Sequence, residues 1–223
     1  MISPLSDLMP CARKRGRPPV GSEAARRQAL LDAAEKLFME QGFGASSMEA
    51  IAKAAGISKK TIYCFFETKE ELFEAVMKDH IDRAPLPAFN EDIPDAASLE
   101  QAMVQNLTEA ASIRLVPFAM NLFRLTIAEA PRFPEIAQAF YREAPKKHVE
   151  LLAKWLKSQV DHGLLALDNP EEAALFLSAV MITEPLRTAA LGITALPSHE
   201  AIEAKAKSLA KLFLSGCLAK PSA

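Results

Sequence analysis

Cysteine is scarce in this chain: Cys11, Cys64 and Cys217 are an odd number with no metal-ligand spacing. That pattern excludes a disulfide framework and a thiolate zinc site, and leaves reduced thiols as the plain reading. Histidine offers no metal site either. His80, His148, His162 and His199 are far apart without carboxylates at ligand spacing, and they read as surface or satisfied core residues. β-Branched residues are sparse and nowhere alternate with polar ones over a useful stretch, which argues against half-buried strands. No Gly-x-Ser-x-Gly elbow, phosphate loop or dinucleotide fingerprint occurs, so neither an enzyme nor a cofactor is expected. Long apolar runs are missing as well. The best candidate, Ala173 to Thr183, is broken by Ser178 and followed by Glu184, so no membrane association is expected. Met1 to Pro10 has no basic start and no continuous apolar stretch, which argues against a secretory signal and for a cytoplasmic location.

What is abundant is Ala, Leu, Glu and Lys, the residues that favour helix, and the expectation is an all-α fold. A length of 223 residues, half of them apolar, accommodates a small domain joined to a larger one. Charge is unevenly placed. The whole chain carries −2, yet Met1 to Lys69 holds eleven Lys or Arg against seven Asp or Glu. A basic lobe on an acidic remainder suggests a polyanion partner at one end only. Pro85-Leu86-Pro87, then Pro94, cannot continue a helix. The expected organisation is therefore a basic arm over 1–21, a first domain over 22–83, a hinge over 84–97 and a second domain over 98–223.

The first domain reads as four helices opening near Ser22, Ser47, Ser58 and Thr68, with Gly42 and Gly56 as stops; Ser47 lacks the full capping box, Ser58 serves as a cap, and Thr68 with Glu71 makes a capping box. The second and third are separated by Ala55-Gly56-Ile57-Ser58, the form of a helix-turn-helix. A slim protruding helix is what enters a major groove about 12 Å wide. Ser58, Lys59, Lys60 and Thr61 lie at its leading end, where amide groups and positive charge favour phosphate. Ile51, Ile62, Phe65 and Phe66 read as core. Lys59 and Lys60 as solvated lysines, and Ser58 as a cap alone, are the bland alternatives.

The run from Gly42 to Phe66, continued by Lys69 and Leu72 and preceded by Ala33 to Phe38, resembles the DNA-binding domain of the TetR/AcrR family almost position for position. The resemblance implies an N-terminal helix-turn-helix domain plus a larger C-terminal helical domain for ligand binding and dimerisation. It also implies roles: Ser47, Tyr63 and Lys69 at the sugar-phosphate backbone, and Lys59, Lys60 and Thr61 facing the groove. Two positions depart from the family pattern. Lys60 replaces a frequent glycine, and Cys64, carried as a DNA contact, stands where a larger residue is common. Upstream, Arg13-Lys14-Arg15-Gly16-Arg17-Pro18-Pro19 cannot be helical; its Arg-Gly-Arg-Pro core resembles an AT-hook, with Arg15 and Arg17 reaching a minor groove. A basic leader that only raises non-specific affinity is the other reading.

In the second domain the segment Val116 to Leu125 is rich in large, adaptable side chains, compatible with a ligand cavity or with a plain core. The resemblance favours a pocket for an apolar or aromatic effector, with Arg114, Phe118, Met120, Phe123 and Arg124 as lining residues and Glu129 as a further polar anchor. The stretch Glu129 to Ile136, followed by Phe140-Tyr141, resembles C-terminal domains attached to some members of the family. Two late helices carry apolar stripes, Leu152, Trp155 and Leu156 on one and Phe176, Leu177, Val180 and Met181 on the other, and the resemblance makes these a homodimer interface; Pro185 is expected to kink the second. Symmetry suits the chemistry: two recognition helices read a palindromic double-stranded operator at half-sites about 34 Å apart. The expected protein is a repressor released by its ligand. The rivals are a helical small-molecule binder or enzyme without DNA function, and an architectural DNA binder relying on the basic arm.

Overall fold

The computed structural model describes residues 22–83, 89–90 and 92–217. Every regular element among them is a helix: α1 Glu23–Gln41, α2 Met48–Ala54, α3 Lys59–Phe65, α4 Lys69–Arg83, α5 Ala96–Arg114, α6 Pro117–Glu129, α7 Pro134–Tyr141, α8 Lys147–Asp161, α9 Pro170–Ser178, α10 Glu184–Ala190 and α11 His199–Cys217. The starts follow local chemistry. Ser22, Ser47, Ser58, Asp95 and Asn169 each accept a backbone N–H of the first turn, and Pro117, Pro134 and Pro170 occupy first-turn positions where the missing donor is no loss. The capping box expected at Thr68 forms in a shifted version. Thr68 Oγ1 accepts from Glu71 N at 3.1 Å, while the Glu71 carboxylate accepts from Glu67 N at 2.9 Å, one residue before the cap.

The kink expected at Pro185 is met by local widening, and the chain runs through Pro145 in the same way. A π-helical turn, Arg142–Lys146, contains Pro145 and joins α7 to α8; another, Ala179–Thr183, precedes Pro185 and joins α9 to α10. A π turn shifts the hydrogen-bond ladder by one residue, which absorbs the donor a proline lacks. The continuous run Pro170–Ala190 thereby reaches 21 residues with a mean hydropathy of 1.2, long and apolar enough to cross a membrane by length and composition alone. The bent pair α5 and α6, turned by 65°, also passes that test when taken together. The sequence reading that no segment qualifies is corrected on this point. Ala174, Leu177 and Met181 of that run are buried in the protein's own interior.

The interior has two centres. One gathers α1 to α4 around Phe38, Phe43 and Phe73, whose rings meet pairwise with centroids 5.4 to 5.6 Å apart. Leu122 of α6 and Ile136 and Ala139 of α7 belong to this same centre. The other gathers α5, α8, α9 and α11 around Trp155, Leu99 and Met103. Part of the expected hinge, residues 84–88 and 91, lies outside the described residues. Beyond it the chain returns to the first centre, so α6 and α7 form the floor on which the N-terminal helices rest.

Candidate nucleic-acid interface

The helix-turn-helix is assembled from capped short helices. Ser47 Oγ accepts from Ala50 N at 3.1 Å to open α2, and Gly56, at φ 68°, turns the chain toward α3. Ser58 Oγ then accepts from Thr61 N at 3.1 Å and lies 2.8 Å from Thr61 Oγ1. Within α3 only Ile62 is fully buried, at 0% exposure. A seven-residue helix held by one core anchor and one cap projects its other faces outward: Lys59, Lys60, Tyr63 and Cys64 are exposed, and Thr61 is half-buried.

The cations on this face differ. Lys59 pairs with Glu49 of α2 and sits 5.9 Å from the Tyr63 ring centre. Its hydrogen bond to Glu49 holds the ammonium above its ordinary range and the Glu49 carboxyl below. Lys60 has no ion-pair partner among the described residues. Lys69 is turned elsewhere. Its ammonium donates to the carbonyls of Phe43 at 2.7 Å and Ser46 at 3.0 Å and lies 4.3 Å from the Phe43 ring centre. Burial pushes this amine down, against the opposing pull of Glu70 and Glu129. The backbone role implied for Lys69 by resemblance meets a side chain engaged in holding the loop between α1 and α2. Arg15 and Arg17 lie outside the described residues.

That loop is where the two halves of the chain meet. Gly44 N donates to Glu129 Oε1 at 3.1 Å, and the Phe43 and Phe133 rings meet edge to face at 5.0 Å. Gly42 has φ 87°, a conformation that favours glycine, and a methyl group there would come within 2.8 Å of the Glu129 carboxylate, which would have to move aside. Ser46, buried, donates to Gly42 O at 2.8 Å. Farther along, His80 of α4 stacks on Phe118 of α6 with centroids 3.5 Å apart, and Arg142 pairs with Glu74 at 3.0 Å. Glu129 is thus a clamp on the DNA-binding head and not the pocket anchor expected of it. Nothing local in the sequence signals this, since the partners are 85 positions apart.

The other expected pocket residues do not converge. Arg124 is exposed and caps the end of α10, donating to the carbonyls of Ala190 at 2.6 Å and Ala189 at 3.0 Å. Phe118 packs into the first centre, whereas Met120 and Phe123 pack against the second. Arg114 is half-buried at the end of α5. A groove of about 920 Å³ between α5 and α11 contains none of the five. His148 was read as a surface or satisfied residue; it is 3% exposed and neither ring nitrogen has a partner. The expected dimer stripe is corrected too. Leu152, Trp155, Leu156, Leu177 and Met181 are buried in the protomer's own core, and Trp155 Nε1 donates to Asn90 O at 2.8 Å. Of the seven, Phe176 is exposed and Val180 half-buried, and the exposed Leu175 beside Phe176 was missed.

A protruding, cation-bearing helix set by a glycine turn on a larger helical body defines a helix-turn-helix transcription regulator. Comparison with known proteins gives the family. Residues 30–76 match the family described as bacterial regulatory proteins, tetR family, and residues 101–216, just over half the chain, match the AefR-like transcriptional repressor C-terminal domain. The HTH-type transcriptional regulator RutR of Escherichia coli (strain K12) is 31% identical over 159 residues, covering 70% of this chain and 72% of its own length. BetI of Rhizobium meliloti (strain 1021), also an HTH-type transcriptional regulator, is 31% identical over 190 residues, 80% of this chain and 87% of its own. Among solved structures, the flavonoid-responsive regulator FrrA superposes with a TM-score of 0.73 at 33% identity, covering 90% of this chain and all of that one. The chain belongs to the TetR family of transcription regulators, which bind DNA operators, usually form dimers and are not enzymes.

Proposed function

We propose that this regulator is a homodimeric repressor that leaves a palindromic operator when a small apolar or aromatic ligand binds its C-terminal half. The single observation that carries the DNA side is the exposure of α3: one buried anchor, Ile62, with Lys59, Lys60 and Tyr63 directed away from the core. The exposed Ser47 at the start of α2, the half-buried Thr61 and the exposed Cys64 are carried as further DNA contacts. The apolar nature of the effector is supported by the likeness to FrrA, a flavonoid-responsive protein. Dimerisation is supported by the exposed Leu175 and Phe176 on α9, at 56% and 58% exposure, large apolar side chains that a second copy would cover.

Transmission follows from the shared core. Helix α6 begins after a two-residue link from α5 and carries both Phe118 and Glu129, which touch α4 and the loop before α2. A ligand that shifts α6 therefore moves both supports of α3 together. It has to favour the DNA-incompetent arrangement by about 1 to 3 kcal/mol, the usual size of such couplings. Fluorescence anisotropy of labelled DNA from upstream of its own gene, titrated across salt, tests the reading. We expect a steep fall in affinity with ionic strength and a weaker complex for Lys60→Ala with its helical content intact. Salt-insensitive binding, or Lys60→Ala behaving as wild type, would instead favour a helical ligand binder without DNA function.

A further inference from the structure

Lys69 is the first residue of α4, where a positive charge stands at the unfavourable end of the helix dipole. It finds its acceptors outside the helix. An ammonium has three donors and no acceptor, and two of the three are spent on the loop before α2, on Phe43 O at 2.7 Å and Ser46 O at 3.0 Å. Two rings complete its surroundings: the charge lies over Phe43 at 4.3 Å and over Phe133 at 5.5 Å, where the negative π faces attract it. The residue is half-buried.

The acceptors sit at the root of the recognition helix. Ser46 directly precedes Ser47, the cap of α2, and its own hydroxyl is tied to Gly42 O at 2.8 Å. Helix α2 leads through the Gly56 turn to α3, so a shift of the Ser46 carbonyl moves the start of the whole motif. The wall behind the ammonium belongs to the body. Phe133 lies in the link between α6 and α7 and meets Phe43 at 5.0 Å, and Glu129 at the end of α6 accepts from Gly44 N in the same loop at 3.1 Å. One cation thus joins the start of α4, the loop before α2 and the α6–α7 corner. To reach a phosphate it would surrender two charge-assisted hydrogen bonds, the stronger kind, and release the loop. Lys60, exposed on α3 and without an ion pair among the described residues, surrenders nothing comparable.

We propose that Lys69 is a positioning residue for operator binding: its ammonium pins the loop before α2 between α4 and Phe133, stays there in the DNA complex, and contributes no phosphate contact. The backbone role that resemblance implies for this position is the opposite reading. The proposal holds whichever ligand the body takes.

Two measurements on the full chain separate them. In the first, the Hε–Cε resonance of Lys69, identified by its loss in Lys69→Arg, is followed with and without duplex DNA from upstream of the gene. Ring currents from Phe43 should set it upfield of the other lysines in the free protein, and saturating DNA should leave it there. A resonance among the other lysines in the free protein, or one that moves to join them on adding DNA, overturns the proposal. The duplex need not be the operator, because phosphates are alike in every sequence. In the second, anisotropy titrations across salt compare Lys69→Met with Lys60→Ala. Lys69→Met is expected to bind about tenfold more weakly with the salt slope of wild type, because the loop has lost two bonds to a charged group. Lys60→Ala should instead lower the slope by about 1 per subunit, the mark of a lost phosphate contact. A slope that falls in Lys69→Met as well, or an affinity that stays at the wild-type value, overturns the positioning role. Should Lys69→Met fail to fold, the resonance of the wild-type chain decides alone.

Discussion

Lys59 and Lys60 are neighbours of one type in different electrostatic states. Lys59 reaches a phosphate only by giving up Glu49, whereas Lys60 has no such pair to break. Glu49→Gln is therefore expected to tighten operator binding several-fold in anisotropy titrations, by freeing Lys59 and removing a negative charge facing the phosphates. Lys60→Ala should weaken binding more than Lys59→Ala does. A second residue-scale prediction concerns His148. Its folded pKa, about 3, lies below the unfolded value near 6.5, so the unfolded chain binds the extra proton in between. Stability therefore falls as pH drops through that window, by up to about 1.4 kcal/mol per pH unit for one proton. His80, lowered mainly by burial and then by Arg83, acts in the same direction. Denaturant melts from pH 7 to 4 should show a smaller acid loss in His148→Gln than in wild type. That His148 is an orphan was not legible in the sequence, because a histidine flanked by Lys147 and Val149 carries no sign of what will face its ring.

At the scale of elements, the head was readable because its signals are local. Capping serines, glycine stops and one apolar residue per turn fall within a few positions of each helix end, and the structure follows them. The late helices were read correctly as apolar, but five of the seven residues assigned to a dimer face are buried in the protomer. Periodicity says that a stripe is covered; it does not say whether α11 and α5 or a second subunit covers it, and Trp155 and Leu177 went to the protomer's own core. The clamp at Glu129 was hidden for a related reason, since its partner is contributed by a distant loop. Glu129→Ala leaves the Gly44 N–H without its acceptor and should cost about 1 kcal/mol in chemical melts. It should also weaken effector control of DNA binding, seen as a smaller change in operator affinity on adding ligand. Ile62→Ala removes the one fully buried side chain of α3, costs about 2 to 5 kcal/mol, and should abolish specific binding with the cap at Ser58 still present.

At the scale of the whole molecule, the account requires two heads at a fixed distance. One recognition helix covers a few base pairs, so a solitary protomer would lack the contacts for specificity. Phe176→Glu places a charge on the exposed face of α9 and is expected to give monomers in sedimentation experiments, with operator affinity lost and helical content kept. The most direct test of the central claim, that the outward face of α3 enters the major groove from two symmetric subunits, is hydroxyl-radical footprinting on the chain's own upstream DNA. The account predicts two protected patches on one face of the duplex, about 34 Å apart or a multiple of that, both weakened together in Lys60→Ala. A single patch, uniform protection along the duplex, or a footprint unchanged by Lys60→Ala would contradict it.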